Sequence, residues 1–371
     1  MRNEVIELAQ ELIAIQSESS LSNATISDFL QNWLEKHEFA VERICYADPN
    51  GVEKVNLIAK VGEGPGGLGF FSHSDTVPGN GEHWQPFSPR VEEGKLYGRG
   101  SCDMKGPLAA SMIAVKSIDS SKLRRPLYIA IAADEEVGHV GAHFIQRASA
   151  TFKENWPTWT VIPEPTEMVP VYAHKGGALI TVTATGRAAH TSLDTGISAN
   201  FLIAPFLAEM AELAKKMKSE ERYKNREFDP PTNGFNLTIN DGGCATNVTA
   251  AKCVANINFR LMPNDLHEEL IGQIEATATR YNLAVTHRKL MPFFLPKDSQ
   301  IVQAACRAVN VAAPINVPFC TEAEGYQKYT QCVIFGPGSV GQAHTVNEYV
   351  KIDQLELAVV AFQRMIVELC L

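Results

Sequence analysis

Several familiar signatures are missing from this 371-residue chain. It has no CxxC pair. The eight cysteines, from Cys45 to Cys370, are scattered, which argues against a cysteine-rich zinc module and suits reduced thiols better than a disulfide framework. Basic charge is scarce: 33 Lys+Arg against 42 Asp+Glu leave a formal charge of −9. Neither the positive footprint of a nucleic-acid binder nor a polybasic membrane patch is present. The most apolar stretches, residues 127–133 and 358–362, fall far short of the ~20 residues that span a bilayer. The opening MRNEVIELAQ carries charges throughout and lacks the apolar stretch of a signal peptide. With the thiols, this makes a cytoplasmic location the expectation. Repeats and low-complexity tracts are absent, and the glycines of residues 98–106 fit neither a Walker loop nor a dinucleotide fingerprint.

What is present is ordinary globular composition, 45% hydrophobic and 20% charged. The length exceeds the ~250–300 residues at which a single core stops growing, so two domains or a large insertion are expected. Apolar residues at helical spacing mark helices over 5–15 and 26–37. Short β-branched or apolar runs at 41–45, 55–61, 68–71, 126–133 and 159–163 read as strands, with helices at 107–117 and 137–150 between them. Strands alternating with helices predict a mostly parallel sheet covered on both faces. After Lys175 the style changes. Residues 178–185 alternate apolar with polar, and the order over 176–291 becomes β-α-β-β-α-β, with helices at 197–218 and 265–281. The first style returns with a helix at 300–311, a buried strand at 332–335 and a closing helix at 353–369. The expected fold is therefore α/β: one domain from residues 1–175 and 292–371, interrupted by an α+β, ferredoxin-like domain at 176–291.

Five short constellations follow strand or turn signals of the first domain. In Ser72-His73-Ser74-Asp75, side chains two apart on extended chain share a face, so Asp75 could orient His73; a turn histidine beside a solvated aspartate is the plainer alternative. In Gly98-Arg99-Gly100-Ser101-Cys102-Asp103 the glycines allow sharp turns, and Asp103 stands where an aspartate often caps a helix. Asp134-Glu135-Glu136 follows a buried strand; these acids either complement a helix dipole or divide labour, one binding a cation while its neighbour takes a proton. Glu164 is held between Pro163 and Pro165, which favour extended chain. His344 closes Gly336-Pro337-Gly338-Ser339 through Gln342-Ala343-His344. The carboxyl ends of parallel strands line one edge of a sheet. Two histidines and several carboxylates along that edge suit a pair of borderline divalent cations such as zinc. Two such ions ~3.5–4 Å apart need a bridging ligand, for which a carboxylate has the two oxygens.

HSDTVP, GRGSCDMKG, ADEEVG, PEPT and GPGSVGQAH, in this order and spacing, resemble the aminoacylase-type dinuclear zinc peptidase/deacylase family. The resemblance covers nearly the whole chain, and Cys320-Thr321-Glu322-Ala323 points to its deacetylase branch. It implies two Zn2+ per subunit, with Co2+ an alternative. Asp103 would bridge, His73 and Glu164 would complete one site, and Glu136 and His344 the other. Glu135 would be the general base and Asp75 would set the His73 tautomer, beside a cis Asp103-Met104 peptide. It further implies that the inserted domain is a dimerisation and lid domain in a homodimer. There His190 would reach the substrate carbonyl oxygen across the dimer, and Asn247 and Arg260 would grip the polar end of a small N-acyl amino acid. The chain departs from the family pattern at Ser101-Cys102, at Pro163, and at Gly325-Tyr326, a pair expected near the substrate pocket.

Overall fold

A computed structural model describes residues 2–79, 84–263 and 266–371. The chain divides into two compact units. The first comprises Met1–Tyr172, Leu295–Ile315 and Thr321–Leu371; the second comprises Ala173–Phe294 and Asn316–Cys320. The second unit thus starts slightly before the expected residue 176 and recruits a short later segment that has no signal of its own.

The large sheet grows from continuous apolar runs. Leu68–His73 and Leu127–Ala132 are buried at every position, as is Trp159–Pro165, which suits strands covered on both faces. The order runs Ala40–Ala47, Glu53–Val61, Leu127–Ala132, Leu68–His73, Trp159–Pro165, Gln331–Gly336. The last four are mutually parallel, whereas the first two pair antiparallel with each other and Glu53–Val61 pairs antiparallel with Leu127–Ala132. The antiparallel edge follows from local chemistry. Glu53–Val61 returns from Ala40–Ala47 through a tight turn in which Asp48 accepts from the Asn50 and Val52 amides, and Gly51 takes φ +82°, a conformation glycine adopts at little cost.

Helices seal the sheet with their apolar stripes. Arg2–Ala14 buries Val5, Leu8, Ala9, Leu12 and Ile13. It packs on Lys105–Lys116, which in turn meets the closing helix Ile352–Cys370. Phe362 of the closing helix lies 5.1 Å from the Phe70 ring and 5.8 Å from Phe335, so one aromatic ties it to two strands. A small antiparallel sheet of Tyr349–Lys351, Lys95–Tyr97 and Arg90–Glu92 is absent from the sequence reading, because three-residue strands carry too little periodicity to detect.

The second unit has the expected order. Its sheet runs Asn236–Asn240, Lys252–Phe259, Gly177–Thr185, Ala284–Leu290, antiparallel throughout. Gly177–Thr185 alternates buried and half-buried residues. Its inward Ile180 and Val182 share a core with Ile203, Phe206 and Met210 of helix Ala199–Ser219, and with Ile271 and Ile274 of helix Leu266–Arg280. Asp265, the expected start of that last helix, lies outside the described residues. No helix among the described residues is long and apolar enough to cross a membrane, and the cysteines form no disulfide among the described residues.

Candidate metal centre

Parallel register brings the motifs to one edge. Leu68 pairs with Leu127 and the ladder runs in step to His73 beside Ala132. His73 therefore emerges next to the Ala133–Glu136 segment. On the other side, Ile334 pairs with Ile162 and Gly336 with Pro165, which places Glu164 beside the loop that leads to His344. The bend into Asp103 uses Gly98 at φ +148° and Gly100 at φ +83°. Helix Lys105–Lys116 begins after Asp103 and has Met104 at its N-cap position, so Asp103 is not a helix cap and its carboxylate is free to face the cluster. The Asp103-Met104 peptide is cis. The acids of residues 134–136 likewise do not open a helix: Asp134 and His139 both have left-handed backbone, and the helix starts only at Val140.

Asp103 sits at the centre. One of its oxygens lies 3.2 Å from His73 Nε2 and the other 3.2 Å from His344 Nε2. His344 Nε2 is also 3.0 Å from a Glu136 oxygen, and His73 Nε2 is 3.9 Å from oxygens of both Glu135 and Glu164. Donor atoms within 4.8 Å of one another define the groups His73, Asp103 and Glu164; Asp103, Glu136 and His344; and His73, Glu135 and Glu136. The first two groups share Asp103, the arrangement that two cations sharing one carboxylate require.

Asp75 meets His73 through its main chain as well as its carboxylate. His73 Nδ1 makes its closest contact, 3.0 Å, with the main-chain oxygen of Asp75, and the carboxylate stands off at 3.5 Å. The carboxylate also accepts the Glu135 amide at 3.1 Å, the Glu136 amide at 3.3 Å and the Ser19 hydroxyl at 2.7 Å. Asp134 is gripped in turn by the Lys54 ammonium at 2.7 Å and the Tyr46 hydroxyl at 2.8 Å. Buried partners therefore hold the glutamate pair through its backbone, while the side chains turn to histidines, Glu135 to His139 and Glu136 to His344.

The electrostatics describe a site short of positive charge. Burial pushes the Glu136 carboxyl up to about 7, with the nearby Asp103 charge adding to it, although the hydrogen bond from His344 opposes the rise. Burial and the Asp103 charge also raise Glu164 well above the usual carboxylate range. Hydrogen bonds to Asp103 and Glu136 lift His344 to about 10. Burial disfavours a charged His73, yet its contacts with Asp103 and Asp75 outweigh that and hold it well above its ordinary value. Protons on the two imidazoles supply charge that divalent cations would supply better, with neutral imidazole as ligand. The donor set, two histidines and three carboxylates around a shared aspartate, fits such ions.

Other participants went unseen in the sequence. His139, four residues past Glu135, lies 3.1 Å from it. Glu322 is buried with both carboxyl oxygens lacking a hydrogen-bond partner among the described residues; burial, then the charge of Glu135, pushes its carboxyl up to about 8. Glu348 and Arg99 form a buried pair behind Asp103. Arg99 and Glu322 lie inside quoted motifs that gave them no role of their own, and His139 and Glu348 are single polar residues without a repeating pattern. Of the Gly325-Tyr326 pair, Tyr326 is fully buried, with its ring 4.8 Å from that of Phe71.

In the second unit, His190 and Asn247 come together. The Asn247 carbonyl accepts the Thr191 amide at 3.0 Å, and His190 bridges to Val248. The His190 ring holds the Ser192 hydroxyl at 2.7 Å. Arg260 directly follows strand Lys252–Phe259, whose Phe259 end pairs with Ala178; the Lys252 end pairs with Thr185, towards His190. Eight strand residues separate the two ends, roughly 25 Å at the usual rise. All three side chains are exposed.

The fold and cluster are those of a metallohydrolase, and the comparisons agree. The model of peptidase family M20/M25/M40 matches residues 69–368, and the chain belongs to that family. The acetylornithine deacetylase of Proteus mirabilis is 32% identical, over 99% of this chain and 97% of its own. That of Photorhabdus laumondii is 34% identical, over 93% and 92%. Among solved structures, an M20 family metallo-carboxypeptidase from Sulfolobus solfataricus superposes with a TM-score of 0.75 over 98% of each chain at 18% identity, a likeness of fold.

Proposed function

We propose that this chain is a metal-dependent amide hydrolase that removes the acetyl group from N2-acetyl-L-ornithine, giving L-ornithine and acetate, as a cytoplasmic step of arginine biosynthesis. The observation that carries this reading is identity of 32–34% with acetylornithine deacetylases over nearly the full chain. Asp103 would be shared by two cations, zinc or cobalt(II); His73 and Glu164 would hold one, and Glu136 and His344 the other. Bound there, the ions supply Lewis acidity that polarises an amide carbonyl and acidifies a water.

The chain's own groups do the rest. Glu135, held by its amide on Asp75, takes the proton as the water oxygen bonds to the acetyl carbon. It returns that proton to the ornithine α-nitrogen as the C–N bond breaks, so acetate and a free amine leave. His190 donates to the developing oxyanion. The Arg260 guanidinium offers a planar fork to the α-carboxylate, and Asn247 holds the polar end. His190 and Asn247 lie at the opposite end of the sheet from Arg260, too far for one small substrate to reach both within one subunit. This supports a homodimer in which each site takes His190 and Asn247 from the partner subunit, with the 176–291 domain as dimerisation and lid domain. Strand Asn236–Asn240 at the sheet edge, with exposed Ile239, together with exposed Phe201, offers the surface.

Comparison of kcat/KM for N2-acetylornithine, acetylcitrulline, acetylmethionine and succinyl-diaminopimelate tests the substrate. The reading expects acetylornithine to lead. A strong preference for the succinyl compound would overturn it.

A further inference from the structure

Glu348 is fully buried, and nothing in the proposed chemistry uses it. One of its oxygens accepts two consecutive main-chain amides, Cys102 at 2.9 Å and Asp103 at 3.1 Å. The other accepts from the Arg99 guanidinium at 2.6 Å. Arg99, itself buried, also donates to the Pro78 carbonyl at 3.2 Å and lies over the Trp84 ring. The Glu348 carbonyl accepts the Gly98 amide at 3.0 Å. The next residues, Tyr349–Lys351, pair with Lys95–Tyr97. Glu348 thus fastens the segment carrying His344, four residues earlier, to the loop carrying Asp103.

A surface ion pair explains none of this. A buried carboxylate is costly unless every oxygen is used, and here both are used on one short loop. Two successive amides aimed at one oxygen set the orientation of the Asp103 peptide. That orientation in turn decides whether the Asp103 oxygens point apart, one towards His73 and one towards His344. We infer that Glu348, braced by Arg99, is a positioning residue: through its amide contacts it holds Asp103 in the bridging orientation and in register with His344, and so sets the affinity of the chain for a pair of divalent cations. The inference rests on the dinuclear reading above.

Two double variants isolate the amide contacts. R99M/E348Q removes both charges but keeps an oxygen facing the two amides. R99M/E348M removes the oxygen as well. Replacing a buried ion pair by apolar side chains of similar volume is often tolerated by the fold. Zinc affinity is measured on the metal-free full-length proteins by competition with a chelating dye, and the visible spectrum of Co(II) reports ligand geometry. R99M/E348Q is expected to bind zinc within about threefold of wild type with an unchanged Co(II) spectrum. R99M/E348M is expected to bind roughly 10–100-fold more weakly, as for other supports of metal ligands, with an altered spectrum. Equal affinities in the two variants would overturn the inference. If R99M/E348M does not fold, R99M/E348Q decides alone, because a tenfold loss with the oxygen retained overturns it. Wild-type protein that binds no zinc would sink the dinuclear reading itself, whereas wild-type binding with indifferent variants sinks only the role of Glu348.

Discussion

Glu322 offers a quantitative test of the buried electrostatics. It lies within the influence of Glu135, His73 and His139 with neither oxygen partnered among the described residues, and its carboxyl is raised from 4.5 to about 8. The folded protein therefore binds a proton that the unfolded chain releases between those values. Where the folded state binds more protons, stability falls as pH rises. The full stability contribution is present below about 4.5, is lost progressively towards 8, and levels off above it. A tenfold change in acidity corresponds to about 1.4 kcal/mol, so the whole displacement amounts to about 5 kcal/mol. Gln keeps the shape of the protonated acid and cannot ionise. In metal-free protein, E322Q should match wild type near pH 5 and become progressively more stable than it up to pH 9, by roughly 3–5 kcal/mol. Urea denaturation of both proteins at half-unit pH intervals measures the difference. A difference that stays flat from pH 5 to 9 would refute the reasoning.

Three further outcomes follow from the same geometry. K54M should destabilise the fold by about 3–5 kcal/mol, because it leaves the buried Asp134 carboxylate without its ammonium partner; thermal denaturation checks this, and a loss below about 1 kcal/mol would contradict it. Cation uptake by metal-free protein at pH 7 should release more than one proton, since His344 titrates near 10 and His73 lies well above its ordinary value, while ligation needs neutral imidazole. Calorimetric titration in buffers of different ionisation enthalpy reads that release, and heats independent of buffer would contradict it. If the proposed homodimer uses the face that bears Phe201, 82% exposed on the second unit, F201E should shift it towards monomer in sedimentation; an unchanged dimer would move the interface elsewhere.

The parts of the molecule legible in the sequence are those whose physics is local. Residues 68–73 and 127–132 are apolar at nearly every step, as strands buried on both faces must be, and each ends at a motif whose chemistry needs the sheet edge. The β-α-β-β-α-β unit was legible because its strands alternate. The antiparallel pairing of Glu53–Val61 with Leu127–Ala132 was not, since it is decided by partners distant in the chain, and neither were the three-residue strands. The site divides the same way. His73, Asp103, Glu136, Glu164 and His344 announce themselves by residue type after a strand or turn. Glu348 lies 245 residues from the Asp103 amide it holds, and in the sequence it is one glutamate among many charged residues. Asp75 shows the limit of spacing arguments. The period of two puts its side chain on the His73 face, where it lies 3.5 Å from the ring, but gives no sign that the same carboxylate also holds the amides of Glu135 and Glu136.

The central claim is that bound cations and Glu135 together cleave the acetyl amide. The most direct measurement is the initial rate of acetate release from N2-acetylornithine by three samples: chelated protein, protein reconstituted with zinc, and reconstituted E135Q of verified zinc content. The account predicts turnover in the second sample alone, with E135Q retaining its zinc and slower by about 10²–10⁴. Acetate release by the chelated protein, or by E135Q at the wild-type rate, would contradict it.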